Sequence, residues 1–461
     1  ESRDDGQRVR DFYDTHYSTR RLRELALKMR GTKHADLWHS LSLVFAALGK
    51  NEGCPQLGLS GLGSFLWRAS STADLLGPNQ ANGEAVFITN DDLLQAIRAL
   101  AYVEQDRVLR TVDYRNLGSE ELGSVYESLL ELHPSLDVEG KSCELRTAAG
   151  NERKTTGSYY TPDSLVQCLL DSALDPVVEE RLKGKKEEEA EQALLDIKVC
   201  DPASGSGHFL IAAAHRLARH LARIRTGESE PSPEDYQRAL RDVIGRCLYG
   251  VDINPMAVEL CKVSLWMEAI EPGKPLTFLD HHIQCGNSLL GTTPALLAKG
   301  IPDIAFKAIE NDDKEICKRL KRQNVQERRD EERGQIRFHY QVPLGDGANL
   351  PQVMARIAAS PDDTLEQVFE KEEGVRQVFS SGIYLHARFL ADAWCSAFFW
   401  VKTDSPLGTA CPTHQSLREF ARNYHHSTPI VREEVWRLRD HYRFFHWHLA
   451  FPEVFALPID S

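Results

Sequence analysis

Apolar positions recur at helical spacing along the first part of the chain. Leu37, Leu41 and Val44 would lie on one side of a helix, and glycine-rich stretches separate this series from others like it. A repeat of three to four residues indicates an amphipathic helix whose apolar side is buried. The pattern therefore predicts an all-helical N-terminal domain over residues 1–135.

In the next segment, short apolar runs alternate with longer amphipathic stretches. The runs are Ile197-Lys-Val-Cys200, Cys247-Leu-Tyr-Gly-Val251 and His282-Ile-Gln-Cys285. Strands that alternate with helices are typical of a parallel sheet, because each helix returns the chain to the edge where the next strand begins. We therefore predict an α/β fold over residues 136–300.

Each helix of this segment has an apolar stripe that we expect to face the sheet. The three stripes are Leu165, Leu169 and Ala173; Leu210, Ala214, Leu217, Leu221 and Ile224; and Met256, Leu260, Val263 and Met267. Asn254 suits the N-cap of the last helix and Pro255 suits its first position.

The rest of the chain divides into two parts. Residues 307–333 are dense in charges of both signs, which is typical of an exposed helix with i,i+4 ion pairs. We interpret residues 301–385 as a charged helical insertion. Residues 386–461 are predicted to be an apolar helical segment that leads into the aromatic stretch 444–455.

Composition limits the location and the partners. Of 461 residues, 42% are hydrophobic and 27% charged, and the formal net charge is −13. This charge excludes a surface that binds nucleic acid everywhere, so any DNA contact must be local. No apolar run approaches the roughly 18 residues that span a membrane, and the N-terminus has no apolar signal region. The ten cysteines show no paired spacing, which favours a reducing cytoplasm.

A glycine loop follows the first predicted strand. It reads Asp201-Pro-Ala-Ser-Gly-Ser-Gly-His-Phe-Leu210, with an acid at the strand end and a helix starting after the second glycine. Gly205 and Gly207 allow backbone conformations that bring a ligand close to the main chain. A packing turn explains this loop about as well as a cofactor site does. NAD and FAD are disfavoured, because Leu210 replaces the third glycine of their fingerprint.

Two further strand ends carry polar side chains. Asp252 could accept hydrogen bonds from both hydroxyls of a ribose, and Ile253 could cover an adenine. The amide of Asn287 suits a purine, since it both donates and accepts. Taken singly, Asp252 is better explained by a helix cap or a surface acid, and Asn287 by a plain turn.

A fourth segment precedes the glycine loop. Thr161 and Pro162 are predicted to be the N-cap and the first residue of a helix. Tyr159 and Tyr160, directly before them, either close over a ligand or fill the core.

Together, in this order, the four segments resemble the gamma-class adenine-N6 DNA methyltransferases. The similarity is greatest to the large methylases of type IIG restriction-modification enzymes and of the phage-defence systems BREX and DISARM. Residues 157–162 resemble the first cofactor motif of that family, residues 201–210 its glycine loop, Asp252 its ribose-binding acid and residues 286–288 its adenine-contacting turn. The similarity extends to three stretches outside these motifs, 17–24, 117–131 and 444–455.

The resemblance implies a Rossmann-like, mostly parallel sheet that binds S-adenosylmethionine. It implies double-stranded DNA as the substrate, with the target adenine flipped out, and other subunits of a phage-defence complex as partners. The residues implied to bind the cofactor are Tyr159, Tyr160, Thr161, Pro162, Asp201, Pro202, Ala203, Ser204, Gly205, Gly207, Phe209, Asp252, Ile253, Asn287 and Leu289. No metal ligand is implied.

The sequence departs from the family at the catalytic motif. The family holds the target amine with an Asn-Pro-Pro-aromatic segment, but no Pro-Pro occurs in this chain, and its one Asn-Pro, at 254–255, is followed by Met256. In relatives, a segment like 444–455 immediately precedes that motif. We therefore expect a fragment of a longer methyltransferase and assign no catalytic residue.

Other functions remain open at this point. One is a SAM-binding or scaffolding subunit of a defence complex that transfers no methyl group. A methylase of protein glutamine amides is less favoured, because of the large helical N-terminal domain. Asp137, Glu139 and Lys141 loosely match nuclease spacing, and Cys411 with His414 loosely matches zinc spacing, but neither pattern is specific.

Overall fold

The structure is a computed structural model. Apart from a few single positions and the pair 343–344, it describes residues 2–50, 52–63, 87–105, 107–114, 132–137, 142–147, 161–271, 273–334 and 348–455. The chain forms two compact units. The first consists of Glu1–Gly118, Ala269–Phe278 and Pro361–Glu370, and the second of Ser119–Glu268, Leu279–Ser360 and Lys371–Ser461.

The part of the first unit that the structure describes contains mainly four helices. These are α1 (Ser2–His16), α2 (Thr19–Lys28), α3 (Asp36–Leu48) and α4 (Asn90–Ala101), with a 3-10 turn at Pro55–Leu57. Their shared core contains Leu22, Ala26, Leu37, Trp38, Leu41, Leu93 and Leu94. Ser18 and Thr89 cap α2 and α4, because each side chain accepts a backbone N–H from the first turn.

An antiparallel hairpin also lies in this unit. Its strands are β1 (Tyr102–Gln105) and β2 (Val108–Thr111), joined through Arg107 in the left-handed region at φ 62°. The prediction of an all-helical domain does not account for it. β-branched residues at 103, 108 and 111 favour strands over helices, and the four-residue repeat of apolar positions stops before them.

The first strands that the structure describes in the second unit form a hairpin of β3 (Leu132–Asp137) and β4 (Ser142–Thr147). Three helices follow, α5 (Asp163–Leu169), α6 (Asp175–Leu182) and α7 (Glu187–Leu195), with a π-turn at Leu170–Leu174 between the first two.

Three parallel strands then form the sheet that positions the candidate site. They are β5 (Val199–Asp201), β6 (Leu248–Asp252) and β7 (Ile283–Cys285), in that spatial order. Helices α8 (His208–Thr226) and α9 (Pro233–Cys247) connect the first two strands, and α10 (Pro255–Ala269) connects the last two. The predicted α/β character is confirmed, and the strands are those expected, within two residues of the predicted ends.

The helix faces agree with the sequence for α8 but not for α5 and α10. In α8, Leu210, Ala214, Leu217 and Leu221 are fully buried. In α5, Leu165 and Leu169 are about half exposed and Val166 is buried, and in the π-turn after it Leu170 and Leu174 are buried. In α10, Met256 is exposed, whereas Ala257, Cys261 and Leu265 are buried. Both helices are apolar on more than one face, so spacing alone could not decide which stripe the fold buries.

The remaining elements are mainly helical. They are α11 (Pro294–Lys299), a 3-10 turn (Asp303–Phe306), α12 (Lys314–Gly334), β8 (Pro343–Leu344), β9 (Ala348–Asn349), α13 (Leu350–Ala359), α14 (Leu365–Ser380), α15 (Gly382–Phe399), α16 (Pro406–Thr409), α17 (His414–Arg422), a 3-10 turn (Tyr424–His426), α18 (Pro429–Tyr442) and α19 (Trp447–Ala450). The charged helix predicted within 307–333 is α12. The predicted domain boundaries at 135, 300 and 385 stay predictions.

The last described segment packs on the sheet. Phe445, Ala450 and Phe451 form one buried cluster with Tyr249 and Val251 of β6. Aromatic residues near the end of the chain therefore complete the core beside the middle strand.

Candidate functional site

The loops that follow β5, β6 and β7 meet at the carboxyl ends of the strands. The N–H of Ser204, after β5, donates to the carbonyl of Val251 in β6 at 3.0 Å. The N–H of Gly286, after β7, donates to the carbonyl of Asp252 at 2.9 Å. Three of the four segments singled out in the sequence are thus brought together at one edge of the sheet.

Asp252 accepts a hydrogen bond on each of its carboxylate oxygens. Gly205 N–H donates to Oδ2 at 2.9 Å, and Asn254 N–H donates to Oδ1 at 2.8 Å. Because an ionised carboxylate has about four acceptor positions, each oxygen keeps capacity for a further donor. Asp252 is held in place by its two neighbouring loops while it can still accept from a ligand.

Gly205 and Gly207 are required to be glycine for different structural reasons. Both adopt left-handed backbone conformations, with φ 52° at Gly205 and 92° at Gly207. A Cβ at Gly207 would lie 2.8 Å from Cys261 Sγ, whereas a Cβ at Gly205 would meet nothing within 4 Å. Gly207 therefore permits close packing of α8 on α10, and Gly205 borders open space beside Asp252.

Asp201 lies at the end of β5 and turns the chain into the loop. Its Oδ1 accepts the Ala203 N–H at 3.0 Å. Burial raises the pKa of the Asp201 carboxyl, the Ala203 hydrogen bond opposes that shift, and the charge of Asp252 adds to it. Two acidic groups at neighbouring strand ends make this edge electronegative and suited to a ligand that carries positive charge.

An apolar cavity of about 430 Å³ runs along β5 beside this edge. Asp201, Pro202 and Phe209 line it together with apolar residues of α5 and the turn after it. Asp252 and Asn287 are not among its lining residues. The predicted cofactor residues are thus divided between this cavity and the hydrogen-bonded loops around Asp252.

The residues predicted to hold a purine lie at the ends of β6 and β7. Ile253 is 42% exposed and Leu289 is 90% exposed, so both offer apolar surface to a ligand. The Asn287 Oδ1 accepts the Leu289 N–H at 3.1 Å. One lone pair of that oxygen is therefore engaged within its own turn, and one remains.

The first predicted motif is only partly described. Tyr159 and Tyr160 lie outside the described residues. Helix α5 begins at Asp163, and its N-cap is Pro162, which makes no side-chain capping bond. The prediction of Thr161 as N-cap and Pro162 as first helical residue was wrong by one position, because Pro162 has the extended ψ of 138°.

Sequence analysis missed one segment that lies against these loops. The N–H of Asn287 donates to the Arg443 carbonyl at 2.7 Å, and the N–H of Phe445 donates to the Leu290 carbonyl at 2.8 Å. A Cβ at Gly286 would lie 2.5 Å from the Phe445 ring. The aromatic character of 444–455 was visible in the sequence, but its position beside the β7 turn was not.

The structure adds no support for the nuclease spacing at 137–141 or for the zinc spacing at 411–414. Asp137 accepts the Gly140 N–H at 2.9 Å in a hairpin turn, and Glu139 and Lys141 lie outside the described residues. His414 Nε2 is 2.6 Å from Glu331 Oε2. Within the described ranges, no group of three or more His, Cys, Asp or Glu side chains could hold a metal ion. No helix of those ranges is long and apolar enough to cross a bilayer.

Parallel strands with a glycine loop and an acid at their carboxyl ends are typical of α/β proteins that bind nucleotide cofactors. Residues 139–294 match the model of the family N-6 DNA Methylase, and residues 246–349 match the family Eco57I restriction-modification methylase. The central part of this chain therefore belongs to the adenine-N6 DNA methyltransferase group, as its motifs predicted.

Several curated proteins are similar to the chain. A type II restriction enzyme and methyltransferase of Methanocaldococcus jannaschii is 31% identical over 219 residues, which are 38% of this chain and 17% of the relative. The adenine-specific methyltransferase PglX of Streptomyces coelicolor is 32% identical over 146 residues, 30% of this chain and 10% of the relative. A type II restriction enzyme and methyltransferase of Escherichia coli is 25% identical over 197 residues, 39% of this chain and 19% of the relative.

The matches thus span less than a fifth of the length of each of these relatives. No solved structure matches the chain.

Proposed function

We propose that this chain binds S-adenosylmethionine at the carboxyl ends of β5, β6 and β7 and serves as the cofactor-binding part of an adenine-N6 DNA methyltransferase. The system would be a restriction-modification system, since two similar proteins are named as restriction enzymes and methyltransferases, or a phage-defence system of the kind that the motifs resemble. Family membership supports the cofactor class, and the residues at the strand ends support its location.

The observation that carries the proposal is the contact between Gly205 and Asp252. It joins the glycine loop to the acid across adjacent strands and leaves acceptor capacity on both oxygens of Asp252. A ribose has two neighbouring hydroxyls, which one carboxylate can accept together. The open space beside Gly205 leaves room for a ligand next to that carboxylate.

The other predicted residues suit the remaining parts of the cofactor. Ile253 provides an apolar face for the adenine, and Asn287 lies one strand further along for its polar edge. The first amides of α8 point toward the glycine loop, where they can donate to the carboxylate of the amino-acid part. Asp201 adds negative charge near the sulfonium. When bound, the cofactor supplies an electrophilic methyl group.

The chain is not expected to transfer that methyl group by itself. An aromatic amine is a weak nucleophile, so the enzyme must align it and polarise its N–H bonds. The segment that does so in the family has no counterpart in the sequence from 1 to 461. We propose that residues outside this sequence hold the adenine, and that contacts with double-stranded DNA lie mainly there as well.

Calorimetric titration tests the cofactor assignment. We expect S-adenosylmethionine and S-adenosylhomocysteine to bind the full chain and NAD to give no heat of binding. Absence of binding by both sulfur nucleosides would overturn the proposal. A parallel assay with tritiated S-adenosylmethionine and adenine-containing DNA should show no transfer, and radiolabelled DNA would contradict the assignment of the acceptor site to other residues.

A further inference from the structure

Arg443 connects the two loops that carry Ile253 and Asn287. Its Nη1 donates to the carbonyl of Ile253 and lies 3.3 Å from Cys285 Sγ. Its own carbonyl accepts the Asn287 N–H at 2.7 Å. One residue from a late helix therefore contacts the ends of both β6 and β7, through its side chain and its backbone.

The backbone conformation of Arg443 is one that glycine normally supplies. The residue ends α18 in the left-handed region, at φ 53° and ψ 52°, and its N–H donates to the Arg439 carbonyl. Glycine is the favoured residue at such a helix end, because a side chain is strained there. An arginine at this position indicates a role for its side chain that glycine could not fill.

The surroundings fix the main chain of Arg443. Tyr442 stacks on Phe399 with ring centroids 4.2 Å apart, and Phe444 is buried directly after it. Phe444 also forms a parallel bridge with Asn287. Because both neighbours are anchored, the main chain of Arg443 is fixed, and only the side-chain torsions remain to be ordered for the contact with Ile253.

We propose that Arg443 is a positioning residue for the nucleoside half of the cofactor. Its side chain holds the Ile253 carbonyl, and its backbone carbonyl holds the Asn287 backbone N–H. It thereby sets the distance between the apolar side chain of Ile253 and the polar side chain of Asn287, which receive the purine. The inference rests on the proposed function, because it assumes that a purine binds between these two loops.

Two substitutions of Arg443 distinguish an effect on cofactor positioning from an effect on the stability of the fold. Arg443→Gly removes the side chain and relieves the backbone strain, so the midpoint of thermal unfolding should stay the same or rise. Arg443→Met keeps the apolar stem of the side chain without its donors. We expect both variants to bind S-adenosylmethionine and adenosine about tenfold more weakly, measured by calorimetry. The preference for adenosine over inosine should shrink in both.

Arg437→Met is the matched control. Arg437 lies on the same helix and pairs with Glu434 at 2.7 Å on a more exposed face. Its loss should leave cofactor affinity within about twofold, because its side chain donates to Glu434 on its own helix and not to the loops after β6 and β7.

The outcomes distinguish this inference from the proposed function. If the wild-type chain binds S-adenosylmethionine and Arg443→Gly binds it equally well, Arg443 has no positioning role, although the cofactor assignment stands. If both Arg443 variants lose stability in proportion to affinity, the role is structural and the inference is wrong. If the wild-type chain binds neither ligand, the proposed function fails first.

Discussion

The backbone N–H of Gly205 donates a 2.9 Å hydrogen bond to the carboxylate of Asp252, although the two residues lie 47 positions apart in the sequence. Adjacent parallel strands make the contact possible, because β5 and β6 end side by side, with Asp201 paired to Gly250. The protein's own hydrogen bond thus holds the glycine loop against the acid. A prearranged site loses less conformational entropy on binding than a site that must form around its ligand.

Replacing Asp252 by alanine should weaken binding of S-adenosylmethionine. The change removes the proposed ribose acceptor and the anchor of Gly205, so we expect a loss of about 1–3 kcal/mol of binding free energy, measured by calorimetry. Asp196→Ala is a suitable control, because Asp196 is an exposed acid that precedes the opposite end of β5. Equal affinity of Asp252→Ala and wild type would place the cofactor elsewhere.

Alanine at the two loop glycines should have different effects. At both positions the left-handed backbone strains an L residue by roughly 1–2 kcal/mol. Gly207→Ala additionally places a Cβ 2.8 Å from Cys261 Sγ, whereas Gly205→Ala meets open space. We expect the larger fall in unfolding midpoint for Gly207→Ala, with Gly205→Ala folding well but binding S-adenosylmethionine weakly. Thermal unfolding and calorimetry of the pair check this, and the reverse order of stability would contradict it.

Asp201→Asn should stabilise the chain more as the pH rises. Burial raises the pKa of Asp201 above its ordinary 3.8, so folding favours the protonated carboxyl. The stabilisation from that proton is complete below pH 3.8 and is lost as the pH rises through the raised pKa. Asparagine stays neutral and can still accept the Ala203 N–H.

We expect the gain in stability of Asp201→Asn over wild type to be largest at neutral pH and to narrow toward acid. The measurement is the difference in unfolding midpoint between variant and wild type over a pH series. A difference that does not change with pH would show that the Asp201 carboxyl is not the group involved. Cofactor affinity should fall in the same variant, because a negative charge near the sulfonium is removed.

The turn after β7 should be intolerant of side chains where it meets Phe445. A Cβ at Gly291 would lie 2.0 Å from the Phe445 backbone oxygen, and one at Gly286 would lie 2.5 Å from the Phe445 ring. The Phe445 ring can rotate away from a new Cβ, but the hydrogen-bonded Phe445 backbone cannot move. Gly291→Ala should therefore destabilise the fold more than Gly286→Ala does, by about 3 kcal/mol or above. Denaturant unfolding measures the free energy of unfolding of both variants.

Gly382→Ala is the control for these glycines, because a Cβ there meets nothing within 4 Å at the start of α15. Alanine at that helical position should be neutral or stabilising by up to about 1 kcal/mol. If Gly291→Ala were as stable as Gly382→Ala, the packing of Phe445 on the β7 turn would be wrong.

The sequence was most informative where local chemistry and structure coincide. Asn254 and Pro255 begin α10 as predicted, with the Asn254 Oδ1 accepting the Met256 N–H at 2.9 Å. The stripe of α8 is buried as expected from Leu210 to Leu221, although Ile211 and Ala213 beside it are buried as well. The stripe of α10 was assigned to the wrong face, since several of its faces are apolar and only the packing partners select one.

What the sequence alone determined about this protein is the order and type of its central elements, the glycine loop, the acid at the end of β6 and the resemblance of its central part to the adenine-N6 methyltransferase group. These features follow from the spacing and type of residues within short stretches of sequence, where helix propensity and helix capping decide the local structure. Tertiary structure decided which strand ends meet, that Gly205 binds Asp252, and that Arg443 reaches Ile253 from 190 residues away. Such contacts depend on how distant segments pack, and no local pattern of residues encodes that packing.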